Sequence, residues 1–261
     1  MKIVLSRKGF DSGYGGMPSP IFPDGTLLSM PIPSGDDVRY ADLRYGGKSY
    51  LDILRELNPS FRFETCHLDP DIREGALPRG EGWTAAFGQE NAALSHLLNQ
   101  GVSEGDVFLF FGWFRQTELR EGRLRFAKGA PDLHVIYGYL QIGRILRTRA
   151  EMGIVPWHPH AGPRRADSRR NAIFLPSDRF LGTQAPGFGV FRYSEGLVLT
   201  KPGENRTHWE LPVCLAGKNI SYHSAKNVRD GYFQSAARGQ EFVVEADEAI
   251  LAWVRSLLEN A

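Results

Sequence analysis

Two short runs of the sequence carry side chains that could bind a metal or transfer protons. In the first, His67, Asp69 and Asp71 alternate at the end of a predicted strand, residues 62–68. Alternate residues of an extended segment point to one side, so an imidazole and two carboxylates could ligate a cation or act as general acid and base. An Asp-Pro-Asp run is equally typical of a turn. We select His67 and Asp69 as candidate catalytic residues.

The second run is His158-Pro159-His160, which offers two more ring nitrogens. This pair lies in a proline-bounded loop, whereas the paired histidines of metal-dependent hydrolases usually end a buried strand. Neither run supplies a complete ligand set. We therefore assign no metal site, leave the cofactor unknown, and keep a metal-dependent hydrolase as an alternative function.

A glycine-rich loop follows the first predicted strand, residues 2–6. Glycines expose backbone N–H groups, and adjacent cations could neutralise a phosphate held by them. The loop matches neither the Walker A nor the Rossmann pattern, because a proline-rich segment rather than a helix follows it. The alternative is an ordinary turn. We select the candidate phosphate ligands Arg7, Lys8, Gly15 and Gly16, and Asp11 as a candidate catalytic acid.

Positive charge is concentrated in residues 144–170, which hold seven arginines and two acids although the formal net charge of the chain is +1. Guanidinium groups suit bidentate contacts to phosphate and stacking on bases. A solvated loop whose arginines pair with surface acids is an equal alternative. The candidates for phosphate contacts are Arg164, Arg165, Arg169 and Arg170.

Two predicted strands, residues 107–115 and 133–142, are rich in aromatic side chains. Their layout, a Gly-Asp turn, a strand, a hairpin and a glycine-containing strand, resembles that of PUA-like barrels, which include readers of modified bases. Such modules hold an unstacked base against aromatic walls. Core packing is the alternative for large aromatics in strands. The candidate base contacts are Trp113, Arg115, Tyr139 and Gln141.

Composition limits the class of protein. The chain has 261 residues, of which 42% are hydrophobic and 23% charged, and these values exclude global disorder and a coiled coil. Glycine and proline, 29 and 16 residues, are spread through the chain, so we expect many ordered loops between short elements. Among the predicted elements are a strand at residues 26–32, bounded by Gly25 and Pro33, and a final amphipathic helix at residues 248–258. Because the elements are short and strands outnumber helices, we predict a single α+β domain over residues 1–261, with mixed, mostly antiparallel sheet and few helices.

The sequence also suggests where the protein works. The longest apolar run, residues 107–114, is far shorter than the roughly 20 residues that span a bilayer, and the N-terminus lacks a signal-peptide core. Two cysteines, Cys66 and Cys214, support neither a CxxC zinc site nor a disulfide framework. We expect a cytoplasmic protein that does not contact a membrane.

Four phrases together resemble a known family. They are SRKGFDSGYGGMPSPIFPDGTLLSMPIP at 6–33, FGQENAALSHLLNQGVSEGDVFLFFGWFR at 87–115, HVIYGYLQIG at 134–143 and GQEFV at 239–243. They are similar to nucleotide modification associated domain 3, a bacterial and phage family, and the resemblance runs nearly end to end. The positions that this resemblance marks are Arg7, Lys8, Asp11, Gly16, Asp24, Gly25, Gln89, Trp113, Arg115, Tyr139 and Gln240.

The resemblance implies an α+β domain that accompanies systems for modifying DNA bases, without supplying a reaction. We therefore expect a protein that binds a nucleotide or nucleic acid, DNA included, together with partner enzymes of a base-modification system. Whether it is itself an enzyme is left open. The alternatives are a PUA-like reader without catalytic activity and the metal-dependent hydrolase.

Overall fold

The structure is a computed structural model that describes residues 1–237 and 239–260. The helices are α1 (Tyr50–Leu57), α2 (Asn91–Asn99), α3 (Arg149–Met152) and α4 (Glu248–Ser256). The strands are β1 (Lys2–Arg7), β2 (Ser19–Ile21), β3 (Ile32–Arg39), β4 (Arg44–Tyr45), β5 (Lys48–Ser49), β6 (Thr65–His67), β7 (Phe87–Glu90), β8 (Val107–Arg120), β9 (Arg123–Phe126), β10 (Leu133–Leu146), β11 (Asn171–Pro176), β12 (Phe188–Val190), β13 (His208–Trp209), β14 (Val228–Arg229), β15 (Tyr232–Gln234) and β16 (Glu241–Glu245).

The main sheet is mixed. Its strand order is β16-β1-β8-β10-β11-β7, and β2, β9 and β12 join its flanks. β1 and β2 run parallel to β8, whereas the β16–β1, β8–β10, β10–β11 and β11–β7 pairs are antiparallel. The first six residues of β8 are buried, because strands pair on both its edges and packed layers cover its faces. This architecture confirms the predicted α+β class.

Several predicted elements form close to their expected bounds. The strand expected at residues 2–6 is β1, the aromatic strands are β8 and β10, and the predicted final amphipathic helix is α4, whose Asp247 side chain caps Ile250 N at 3.0 Å. These segments carry strong periodic patterns of apolar residues, which is why local sequence predicts them.

The prediction of a strand at residues 26–32 is wrong. Leu27 and Leu28 are buried, but this stretch forms isolated bridges, and the strand begins only at Ile32. β3 is instead a polar segment, IPSGDDVR, that pairs with β6 and bulges between Pro33 and Val38. Its register with β6 depends on a partner about thirty residues away, which a local pattern does not encode.

Three apolar clusters surround the site described below. The largest packs on the main sheet around Phe87, Phe108 and Phe110. A second cluster is formed mainly by residues between positions 10 and 76 and includes Phe10 and Cys66. A third, small cluster lies under the loop that follows β10. Among the described residues, no helix is long and apolar enough to cross a membrane.

Candidate functional site

A cleft of about 750 Å³ opens where segments from the three clusters meet. Its walls are formed by the loop after β1, the start of β3, the end of β6 and the β7–α2 junction, together with residues 160, 165, 222 and 239–240. The side chains in its walls include Arg7, Lys8, Asp11, Tyr14, His67, Asp69, Gln89, Glu90, His160, Arg165 and Tyr222. Charged groups of both signs therefore border one concave space.

His67 ends β6, and the bulge in β3 brings Asp36 beside it. The His67 Nδ1 atom lies 2.6 Å from Asp36 Oδ2. Asp36 is partly buried, but its hydrogen bonds from His67 and Arg165 outweigh that burial and hold its pKa well below the usual range. An ionised carboxylate only accepts hydrogen bonds, so Nδ1 of His67 carries a proton that it donates to Asp36. In the neutral ring, Nε2 of His67 is then the atom with the free lone pair.

His160 reaches the same point from a different segment. It lies in a short 3-10 turn, Pro159–Ala161, and its Nδ1 atom is 2.6 Å from Asn171 Oδ1. The Asn171 amide group donates to the backbone carbonyl groups of His160 and Arg165, which fixes its Oδ1 atom toward the ring. Burial lowers the pKa of His160 to about 3, so the ring is neutral near pH 7, with Nδ1 protonated and Nε2 free.

Space for the His160 ring depends on Gly88 in β7. A Cβ atom at position 88 would lie 2.3 Å from Cδ2 of His160 and 2.7 Å from its Nε2 atom. A residue with a side chain would therefore displace the imidazole.

The two Nε2 atoms of His67 and His160 face each other at 3.2 Å. Oδ2 of Asp69 lies 3.8 Å from the first and 4.0 Å from the second. The three atoms form a compact set of potential metal ligands whose members all lie within 4.8 Å of one another. Two ligand nitrogens bound tetrahedrally to zinc at ~2.05 Å are about 3.3 Å apart, so the imidazole separation already suits a shared cation.

The Asp69 carboxylate is held in place by its other oxygen. Oδ1 accepts a hydrogen bond from the backbone N–H of Gly88 at 2.7 Å and lies 3.2 Å from Nε2 of His158. Burial disfavours the charged form of Asp69, but the hydrogen bond and charge interaction with His158 outweigh this effect, so the pKa of Asp69 lies well below its usual range. The carboxylate is therefore ionised, with Oδ2 directed at the two imidazoles.

This arrangement has the chemistry of a divalent metal centre. Two neutral imidazoles and one carboxylate suit zinc or iron(II) and leave coordination positions open to water or substrate. Asp36 and Asn171 each accept the N–H of a candidate ligand ring, as outer partners of metal-bound histidines do. A bound cation could polarise a substrate oxygen or lower the pKa of a water molecule.

Comparison with known families identifies the chain. The family model of nucleotide modification associated domain 3 matches residues 2–245. The chain belongs to this family. No curated protein and no solved structure matches it. Membership associates the protein with nucleotide modification, and the metal-ligating geometry stands on this structure alone.

The third residue of the alternating run, Asp71, does not join the cluster of this nucleotide modification associated domain. Its two carboxylate oxygens accept hydrogen bonds from Arg79 at 2.6 and 2.8 Å, and Trp83 Nε1 lies 3.3 Å from one of them. The expected one-sided alternation therefore fails after Asp69, because Asp71 pairs with Ala86 in an isolated bridge and faces a different part of the fold.

The two cations of the first loop line the cleft but are already paired. Arg7 donates to the backbone carbonyl groups of Ala236, Ala237 and Gly239, and burial lowers its pKa. Nζ of Lys8 lies 2.7 Å from Glu241 Oε1. Arg7 thus secures the loop before β16 while it lines the cleft, and its role as a phosphate ligand stays a prediction.

The glycine-rich loop closes on itself. Oδ1 of Asp11 accepts the backbone N–H groups of Gly13 and Tyr14, each at 2.7 Å, and the N–H of Gly16 donates to the Asp11 carbonyl oxygen. Gly15 has φ +84°, and a Cβ atom there would strike the Phe10 ring. The N–H groups of Gly13, Tyr14 and Gly16 therefore donate within the loop, and Asp11 borders the cleft.

The aromatic strands do not build a base-binding wall. The β8–β10 register pairs Trp113 with His134 and Tyr139 with Leu109, so the two rings lie at different points along the strands. Tyr139 is 2% exposed and packs against Phe180 and Phe191. The register and the burial of Tyr139 therefore give no support to a base stacked between Trp113 and Tyr139.

The other residues of these strands also have structural partners. One face of Trp113 is covered by the Arg206 guanidinium, whose Cζ atom lies 4.0 Å from the ring centroid. Arg115 forms an ion pair with Asp132 at 2.7 Å. The buried Gln141 amide bonds to the backbone of Gly105 and Leu181.

The arginine-rich segment divides into two parts. Arg165 lines the cleft, where it pairs with Asp36 at 2.7 Å and Glu90 at 3.4 Å. Arg164 donates to the carbonyl oxygen of Gly35 while its side chain stays exposed. Arg169 and Arg170 are exposed as well. Of the four candidate arginines, one therefore lies in the cleft wall and three are exposed.

Sequence reasoning treats the two histidine motifs separately and misses their combination. His160 and His67 are 93 positions apart, and no local spacing relates them. Nor does it select Asp36, Gly88 or Asn171. The one usable local signal is His67-x-Asp69, because two potential ligands of different chemistry alternate at the end of a short strand.

Proposed function

We propose that this protein is a metal-dependent enzyme that acts on a nucleotide or on a base of a nucleic acid held in the cleft. The observation that supports it is the pair of imidazole Nε2 atoms, 3.2 Å apart, with the ionised Asp69 beside them. Two ring lone pairs that face each other repel unless a cation or a proton lies between them. Partners on both Nδ1 atoms orient those lone pairs toward the same point.

Membership of the nucleotide modification family supplies the substrate class of the proposal. A cation held by His67, Asp69 and His160 would lie in the wall of a cleft large enough for a nucleotide. These three side chains would hold the cation, and Asp36 and Asn171 would keep both rings in the tautomer that can bind it. The exposed Arg164, Arg169 and Arg170 contact phosphates of a bound strand, an electrostatic contribution that weakens with salt.

Metal titration of the purified protein tests the proposal. We expect one zinc or iron(II) ion per chain. We expect His160→Ala to weaken metal binding by more than about 100-fold, because loss of a ligand should cost more affinity than the 10- to 100-fold typical for loss of a hydrogen-bond partner of a ligand. His208→Ala is the matched control, because His208 stacks on Tyr232 and pairs with Glu204 and is not in the cleft wall.

Circular dichroism and thermal melting of each variant separate loss of a ligand from loss of fold. Equal affinity in the wild type and in folded His160→Ala, or no metal binding by either, would reject the metal centre. The two imidazoles would then share a proton, and the non-catalytic reader of modified bases would be the better account.

A further inference from the structure

Two exposed aromatic side chains border the same cleft as the candidate metal ligands. Among the described residues, three aromatic side chains are exposed: Tyr14 at 57%, Tyr222 at 48% and Phe63 at 51%. Tyr14 and Tyr222 both line the cleft, and Phe63 does not. Apolar ring surface left open in a concave, charged site is typical of ligand contact.

The turn around Asp11 fixes the position of Tyr14. The Asp11 carboxylate accepts the Tyr14 N–H at 2.7 Å, and the Tyr14 carbonyl oxygen accepts the Asp11 N–H at 2.8 Å. Gly15 packs directly on the buried Phe10 ring. This closed turn therefore fixes the backbone from which the Tyr14 side chain borders the cleft.

Tyr222 is positioned by different contacts. Its backbone has φ +65°, a left-handed conformation that is uncommon for residues other than glycine. Its ring centroid lies 4.2 Å from that of His96, and the absence of a side chain at Gly239 leaves room for the ring. His96 is itself held by a 2.9 Å contact between its Nε2 atom and Ser221 Oγ. Unusual backbone geometry supported by neighbours is a feature of ligand-binding sites.

We infer that Tyr14 and Tyr222 form a stacking site for a nucleobase. The inference rests on the proposed function and deepens it: the group that enters the cleft is the base, and the metal centre acts on a substrate anchored through its ring. An aromatic side chain can stack on any base because every base presents a π-face. The same chemistry serves a free nucleotide and a base turned out of a strand.

Binding of deoxynucleoside monophosphates to single variants tests the site. From the ~1–3 kcal/mol that stacking contributes per base, Tyr14→Leu and Tyr222→Leu should each weaken binding about 5- to 150-fold, whereas Tyr222→Phe retains most of the affinity. Phe63→Leu is the matched control, because it removes an equally exposed ring outside the cleft. Deoxyribose 5-phosphate, which lacks a base, should bind the wild type and the tyrosine variants equally.

The same titrations identify the source of the base. A single-stranded oligonucleotide that binds more tightly than a monophosphate, with the same tyrosine dependence, assigns the site to a base within a strand; the reverse assigns it to a free nucleotide. Unchanged affinity in folded Tyr14→Leu and Tyr222→Leu, or no binding of either probe by the wild type, would overturn the inference.

Metal titration of the tyrosine variants separates this inference from the proposed function. Unchanged metal affinity together with weaker base binding is the expected result. Metal binding without a contribution of the tyrosines to base binding overturns the stacking site alone. Tyrosine-dependent base binding in a protein that takes up no metal supports the stacking site and rejects the proposed metal enzyme.

Discussion

At the scale of single residues, Asp36 links the arginine-rich segment to the candidate metal centre. Its two oxygens are divided between Arg165, at 2.7 Å, and Nδ1 of His67, at 2.6 Å. The sequence predicts His67 and Asp69 because they are close in the chain and alternate. It does not predict Asp36, since this residue reaches His67 only through the bulged pairing of β3 with β6.

Replacing Asp36 by asparagine tests this link. The amide group introduced at this position could donate to Nδ1 of His67 and favour the tautomer that is protonated on Nε2, which would block a metal. We expect Asp36→Asn to lower metal affinity about 10- to 100-fold, as loss of an outer partner does, in a competition titration against a chelator. Asp37→Asn is the control, because Asp37 is the exposed next residue of β3. Equal affinity in both variants would show that Asp36 does not orient the ligand.

At the scale of elements, the site depends on strand pairs that are distant in sequence. β7 and β11 pair so that Gly88 faces Ile173 and Glu90 faces Asn171, and this places the β7 backbone against the His160 turn. Strong periodic patterns predict β8, β10 and α4. The same reasoning wrongly makes residues 26–32 a strand, because their buried apolar side chains fill the core from a loop interrupted by Pro31.

A single methyl group on β7 should therefore disturb the site. In Gly88→Ala the new Cβ would lie 2.3 Å from the His160 ring. The ring must then move, which changes the distances from its Nε2 atom to the other two candidate ligands. We expect metal affinity to fall at least as much as in Asp36→Asn, as measured by the same competition titration. Gly80→Ala serves as its control, since a Cβ atom there meets nothing within 4 Å. A Gly88→Ala protein with wild-type affinity would mean that the ring position is unimportant for binding.

At the scale of the whole molecule, the cleft is a junction of segments that belong to different apolar clusters. His67 follows Cys66 of the second cluster, His160 precedes Ala161 at the third, and Gln89 lies close to Phe87 of the first. The glycine and proline content predicts the many loops, and the pattern of short predicted elements, in which strands outnumber helices, predicts the α+β class. Neither predicts the cleft, which exists only when all three clusters have formed.

Ion pairs within the fold explain why the charge pattern of the sequence predicts more unpaired arginines than the structure has. Two arginines of the basic segment have ion-pair partners: Arg149 pairs with Asp167, and Arg165 pairs with Asp36 and Glu90. A count of charges along the chain does not reveal such pairs. The remaining exposed arginines are the ones from which an effect of salt on binding is expected.

Anomalous X-ray scattering from a zinc-loaded crystal, recorded on both sides of the metal absorption edge, tests the central claim most directly. The account predicts one anomalous peak about 2.0–2.2 Å from Nε2 of His67, Nε2 of His160 and a carboxylate oxygen of Asp69. A map of the zinc-loaded protein with no peak within bonding distance of these three atoms would contradict it.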